Sequence, residues 1–311
     1  MIKYLNLFRW INISIVILSM ALVLLFMVLP LLGIGWFEHG LCPGKFLLLV
    51  FSTVFIAIGG NIVNDIYDIN ADSINKPRKN MVGKGISVST AWVLYWVFTV
   101  SGLLLGTLLS LVVGQINYGL IFLFSAGLLW FYSQKYQCQP LVGNIVVSAL
   151  SAITLGIVWL FQFFALSEEA EVFASVQGNF AIVNRMVLIY MGFAFITSLI
   201  REVVKDIEDF RGDNRFGCRT FAVTYGIEKA KILAKVVLFI GIFSVVIIQF
   251  YFFKLGFEMH FWYFFVLDVL FVLAIFKMFK AKDRKDFSTV SKLIKLIMLA
   301  GILSMAFFYF Y

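Results

Sequence analysis

The 311-residue chain is short of what a soluble enzyme uses to stay in water. Only 14% of its residues are charged, against 62% hydrophobic, and the mean hydropathy is +0.99. Soluble domains are about half apolar and a quarter charged, so this composition points to an integral membrane protein. Histidine is nearly missing. His39 and His260 are too few and too far apart for a metal cage or a proton relay. The three cysteines, Cys42, Cys138 and Cys218, are scattered and include no Cys-x-x-Cys, which indicates neither a disulfide framework nor a zinc site. There are four prolines, and only Pro30 falls well inside an apolar run, which leaves those runs free to be continuous helices.

What is present is length and grease. A spanning helix needs about 20 apolar residues. Nine such runs are predicted, at roughly 11–36, 46–66, 88–113, 115–133, 141–165, 180–204, 230–253, 259–279 and 288–310. Lys3 and Arg9 precede the first, but its length exceeds a signal-peptide core and no small-residue cleavage site follows, so it is read as a retained helix. The expected architecture is a single all-α membrane domain of nine helices over residues 1–311.

Charge orients the bundle. All but three of the 25 Lys and Arg (Lys45, Arg185 and Lys254) fall on one side, with the N-terminus and the 2–3, 4–5, 6–7 and 8–9 connections. Positive loops mark the cytoplasmic side. The N-terminus is therefore predicted to be cytoplasmic and Tyr311 to lie across the membrane, a cell membrane being the natural location. The formal net charge of +8 is topological on this reading, and nucleic acid is not expected as a partner. No protein partner is inferable. The acidic 5–6 connection, with Glu168, Glu169 and Glu171, is an exposed segment on the far side.

Two polar connections on the cytoplasmic side, about 67–87 and 205–229, stand out for length and for Asp, Lys, Arg and Gly. Each begins at a carboxylate triplet. Asp65, Asp68 and Asp72 recur at i, i+3 and i+7, and so do Asp206, Asp209 and Asp213, offset by 141 residues. On a helix this spacing places each triplet on one face. A carboxylate near the bilayer centre costs about 2.5–3.5 kcal/mol even on the gentler scale, so six of them call for neutralisation. Magnesium takes one or two carboxylates plus substrate phosphates. Two Asp-rich helix ends carrying Mg²⁺ would grip a diphosphate. Nearby cations, Lys76, Arg78, Lys79 and Lys84 after the first triplet and Lys205, Arg211, Arg215 and Arg219 around the second, would take up the remaining phosphate charge. A transporter's cation-coupling site is the non-enzyme alternative. Transporter sites lie near the midplane, whereas these triplets lie at helix ends among phosphate-type cations.

The residues then resemble the UbiA superfamily of membrane prenyltransferases. That family's first signature, N-D-x-x-D-x-x-x-D, is matched by Asn64, Asp65, Asp68 and Asp72. Its continuation N-x-P-x-R-P appears as Asn75, Lys76, Pro77, Arg78, Lys79 and Asn80, with Lys79 in place of arginine and Asn80 in place of proline, followed by Gly85, Ile86 and Ser87. The second signature is matched by Asp206, Asp209 and Asp213, with Gly212, Gly217 and Thr220. A Y-S-x-K match is found at Tyr132, Ser133 and Lys135, with Gly143 and Asn144 following, and Arg9 and Asn12 fit a loose R-x-x-N.

The resemblance implies Mg²⁺-dependent transfer of an isoprenoid chain from its diphosphate to a lipophilic acceptor. By the same resemblance the six aspartates hold metal. Asn64, Asp68, Asp209 and Lys135 serve catalysis, and Arg9, Lys76, Arg78, Lys79, Tyr132, Lys135, Lys205 and Arg219 bind the diphosphate. The wording of 202–220 is most similar to the branch that adds a geranylgeranyl chain to geranylgeranylglycerol phosphate, and an aromatic quinone precursor is the alternative acceptor. Gly102 and Gly106 form a G-x-x-x-G that predicts close helix packing.

Overall fold

The structure, a computed structural model, describes residues 2–75 and 81–311, with side chains from Tyr4 onward. Lys76, Arg78 and Lys79 therefore lie outside the described residues. Fourteen α-helices follow in order among the described residues: α1 (Ile2–Leu7), α2 (Trp10–Ala21), α3 (Leu29–Leu32), α4 (Pro43–Tyr67), α5 (Ile69–Asn75), α6 (Val88–Val112), α7 (Gly119–Gln134), α8 (Val142–Ser167), α9 (Ala170–Val176), α10 (Phe180–Arg215), α11 (Phe221–Tyr225), α12 (Ile227–Lys254), α13 (Glu258–Lys280) and α14 (Arg284–Leu303). Nine stretches of the described residues are long and apolar enough to cross a membrane, and they fall on the nine runs expected.

Two boundaries differ from the sequence expectation. The first span ends at Leu32, where Gly33 turns left-handed with φ +70°, rather than at Trp36. A π-helical stretch, Leu22–Val28, joins α2 to α3 within it. The sixth helix does not stop near residue 204 but continues to Arg215. Charged residues there suggest a loop, yet no proline interrupts them and Gly217, just past the end, takes the left-handed conformation that commonly terminates a helix.

The contacts divide the chain into two compact units, Met1–Tyr136 with Thr154–Arg185, and Gln137–Ile153 with Met186–Tyr311. In the first, α4 is the central helix and packs on α2, α6 and α7. In a membrane, burial of apolar area drives helix pairing little, and small residues that let backbones approach matter more. Gly102 and Gly106 of α6 do this against α4 and α7. A Cβ at Gly102 would meet the Ser52 carbonyl oxygen at 3.0 Å, and one at Gly106 would run into the Phe122 ring. The Ser52 hydroxyl donates to the Gly102 carbonyl at 3.0 Å and ties α4 to α6. Away from the triplets, the 1–2 and 5–6 connections are joined: Glu169 accepts from the Gly40 amide at 2.9 Å and pairs with His39 Nδ1 at 2.8 Å.

In the second unit α13 packs on α12 and α14. A Cβ at Gly241 of α12 would meet Ile200 of α10, and one at Gly301 of α14 would meet the Phe193 ring. The first stretch of α8 lies along α10, with Ser151 and Ser198 hydroxyls 3.3 Å apart.

Candidate active site

The first triplet sits where α4 ends. Asp68 is its cap, at φ −87° and ψ 4°, and α5 restarts at Ile69. Backbone bonds bridge the break: Asp68 N donates to Asn64 O at 2.9 Å and Asp72 N to Asp68 O at 2.8 Å. Both are i to i−4 bonds of the helical kind, so the helical pattern resumes on either side of Asp68.

Their anchor comes from the N-terminal segment. Arg9 sits between α1 and α2 with φ 53° and ψ 51°, a left-handed conformation rare for a non-glycine residue. Its Nη2 donates to Asn64 Oδ1 at 2.9 Å and to Asp65 Oδ1 at 2.5 Å. Asn64 passes the order on, donating from Nδ2 to Asp68 Oδ2 at 3.1 Å. With its oxygen committed to Arg9, the Asn64 amide is fixed in orientation. Burial alone would pull the Arg9 pKa down, but the adjacent Asp65 carboxylate holds it above the ordinary arginine value, with Asp68 and Tyr132 adding to the effect. Tyr132 on α7 is thereby placed within electrostatic reach of Arg9. Lys135, at the end of α7, is exposed, as is Lys84 in the tight turn 81–86. Tyr67, Trp92, Tyr95 and Trp130 pack ring to ring near the end of α4. Amphipathic rings at this level suit the membrane interface.

The second triplet lies within one uninterrupted helix, α10. Asn144, near the start of α8, donates from Nδ2 to Asp206 Oδ2 at 3.0 Å. Arg284, the first residue of α14, places Nη2 3.7 Å from Asp209 Oδ1, an ion pair too long for a hydrogen bond. Asp209 is buried. One turn earlier, Glu202 is buried and shared by two cations, Arg201 at 2.6 Å and Lys205 at 3.8 Å. Arg219 is exposed on the segment after α10.

Sequence reasoning missed three features here. Arg284 stands in the 8–9 connection, which carries no family motif, although the Asp283 and Asp286 capping box marks a helix start beside it. Glu202 extends the acidic stripe by i−4 and is legible as such. The cysteines are a correction: Cys138 and Cys218 form a disulfide, 80 residues apart in sequence. Wide spacing hides the pair, because only folding brings those two turns together.

No three His, Cys, Asp or Glu side chains among the described residues converge closely enough to hold a metal by themselves. The donors still fit magnesium. They are hard carboxylate oxygens with no imidazole or thiolate, and magnesium completes its sphere with water and substrate phosphate.

The sequence profile of the UbiA prenyltransferase family matches residues 22–299, and the chain belongs to that family. Among its relatives is a digeranylgeranylglyceryl phosphate synthase of Sulfurisphaera tokodaii, 33% identical over 221 residues that cover 70% of this chain and 71% of that one. A solved structure of a digeranylgeranylglyceryl phosphate synthase superposes with a TM-score of 0.62 at 25% identity, covering 98% of this chain and 96% of the other. A UbiA homologue from Archaeoglobus fulgidus, bound to DMAPP and Mg²⁺, superposes at 0.55 and 15% identity over 98% and 99%, and shares the fold.

Proposed function

We propose that this membrane prenyltransferase transfers a geranylgeranyl chain from its diphosphate to the hydroxyl of geranylgeranylglycerol phosphate. In the reaction the allylic carbon–oxygen bond to diphosphate breaks, an ether bond to the acceptor oxygen forms, and the hydroxyl proton is released. The observation that carries the reading is the pair of Asp triplets at identical spacing, in a chain whose relatives are named for the digeranylgeranylglyceryl phosphate product. Residues 1–311 act as one catalytic domain on this reading, with the N-terminus and the triplets on the cytoplasmic side, as the distribution of Lys and Arg supports.

Asp65, Asp68 and Asp72, and Asp206, Asp209 and Asp213, would hold Mg²⁺. Bound magnesium would neutralise charge as it builds on the departing diphosphate. The chain's own residues prepare that event. Arg9 fixes Asn64 and Asp65, and Asn64 fixes Asp68, so the first set of oxygens is ordered before substrate arrives. Asn144 and Arg284 order the second set from two other helices. Lys135, Lys205, Arg219 and Tyr132, with Lys76, Arg78 and Lys79, supply positive charge and donors for phosphate oxygens. The surrounding apolar helices keep water from the allylic cation.

The test is transfer of labelled geranylgeranyl diphosphate by membranes containing the protein, with geranylgeranylglycerol phosphate and an aromatic quinone precursor offered together. Product mass should show the glycerol phosphate ether alone, and chelation of Mg²⁺ should abolish it. A product on the aromatic alone overturns the acceptor assignment, and metal-independent transfer overturns the mechanism.

A further inference from the structure

The Cys138–Cys218 disulfide joins two segments that each touch the second Asp triplet. Cys138 closes the short 3₁₀ turn Tyr136–Cys138, and α8 begins four residues later, carrying the Asn144 that holds Asp206. Cys218 follows the end of α10. Its amide donates to the carbonyl of Asp213, the last carboxylate of the triplet, at 2.9 Å. Its Sγ lies 3.9 Å from the Gln137 carbonyl oxygen. The residue after Cys218 is the exposed Arg219, and the one after that, Thr220, is buried and caps α11 by accepting from the Val223 amide at 3.4 Å. Arg219 is thus pinned on both sides, by a covalent bond before it and a helix cap after it, at the carboxylate end of α10.

A disulfide closing a long loop stabilises a fold wherever it lies, chiefly through the unfolded chain. This one also takes freedom from a segment that has a task. An arginine on a mobile loop must be ordered when it meets an anion, and prior ordering of its backbone removes part of that cost. We propose that the Cys138–Cys218 disulfide is a positioning element of the diphosphate site, which holds Arg219 ready for the prenyl diphosphate and makes substrate affinity sensitive to thiol redox state. The proposal rests on the reading of Arg219 as a phosphate-binding cation given under Proposed function. Both sulfurs belong to partly exposed residues, on the side that the charge distribution assigns to the cytoplasm, where thiol–disulfide exchange operates. Reduction by a dithiol transfers two electrons and two protons to the bond, leaving two cysteine thiols and the reagent's own disulfide.

Steady-state kinetics of the purified full chain in detergent micelles, before and after dithiothreitol, test this, with thiols titrated in each state. Before reduction the titration should find a single thiol, that of Cys42, which stands outside the disulfide. Reduction should raise KM for the prenyl diphosphate about three- to tenfold, the effect of restoring part of the cost of ordering one residue's backbone, and leave kcat and the acceptor KM little changed. The double variant Cys138→Ser/Cys218→Ser should show the raised KM without responding to dithiothreitol. Arg219→Gln should raise KM in the oxidised protein, and reduction should add nothing further, because both changes remove one interaction. A reduced protein that melts earlier but keeps its KM overturns the proposal, as do effects of reduction and Arg219→Gln that multiply, or three free thiols at the outset. If Arg219→Gln is silent in the oxidised protein, the phosphate reading of Arg219 fails first and the tether's action fails with it. That outcome is distinct from one in which Arg219 matters and reduction does not.

Discussion

The two Asp triplets share one spacing and almost nothing else. The first straddles a helix break, with Asp65 in α4, Asp68 as its cap and Asp72 in α5, whereas the second rides on an unbroken α10. The first is held by a full charge, Arg9, brought in from a left-handed turn near the N-terminus. The second is held at Asp206 by a neutral amide, Asn144, with Arg284 standing further off from Asp209. One residue before each triplet stands Asn64 in one case and Lys205 in the other, and four before stand Asn61 and Glu202. On the proposed function, the spacing of the carboxylates answers to metal and diphosphate chemistry, which is why both share it. The neighbours answer to local packing and local charge, so they differ.

The largest expected effect tests whether the triplets are functionally equal. Asp68→Ala and Asp209→Ala should each lower kcat/KM by about two to three orders of magnitude, the scale on which removal of a preorganised charge-stabilising group acts. Groups that serve one transition state are strongly non-additive. If both triplets serve the same diphosphate, the double variant should be little worse than the poorer single one. Measured with saturating Mg²⁺, a product of the two separate losses would show that the triplets act on different groups.

Much of this comparison is legible in the residues alone. The nine runs coincide with the long helices, because about 20 apolar residues in a row have few other uses. The triplets are visible because three carboxylates on one helical face at a membrane edge are costly. The break at Asp68 is not visible, since Asn-Asp-Ile-Tyr-Asp contains neither proline nor glycine. The continuation of α10 is obscured in the opposite way: residues 205–215 are rich in charge, and charge beyond an apolar run suggests a loop. Their i, i+3, i+7 spacing nevertheless implies a helix. The positive φ of Arg9 and the pairing of Cys138 with Cys218 depend on contacts distant in sequence, and no local pattern encodes them.

A middle-sized effect should separate the two anchors. Arg9→Gln leaves Asp65 without its cation and Asn64 without its orienting donor, and should cost about 30- to 100-fold in kcat/KM. Asn144→Ala removes a single uncharged donor from Asp206 and should cost about tenfold or less. Because Asp65 raises the Arg9 pKa, Arg9 stays charged up to pH values above the ordinary arginine range. Its contribution would be lost only as pH rises through that raised value. An alkaline limb in the wild-type pH–rate profile is therefore expected to persist unchanged in Arg9→Gln, and its disappearance would contradict this assignment. Equal losses at Arg9 and Asn144 would remove the distinction between charged and neutral anchoring.

The smallest effect concerns the positions four residues before each triplet, and it bears on stability. Glu202 is buried and shared between Arg201 and Lys205. Replacement by Gln keeps volume and an acceptor but removes the charge, and should cost about 1.5–3 kcal/mol, the range for hydrogen bonds to charged groups. Asn61 makes a neutral contact, Nδ2 donating to the Phe8 carbonyl at 3.3 Å. Asn61→Ala should cost only about 0.5–1 kcal/mol, since the half-buried carbonyl it leaves can be rehydrated. Denaturation midpoints of both variants in the same detergent would check the order. A larger loss at Asn61 than at Glu202 would mean that the first triplet leans on the N-terminal segment through Phe8 as much as through Arg9. The asymmetry between a charged and a neutral neighbourhood would then have to be redrawn.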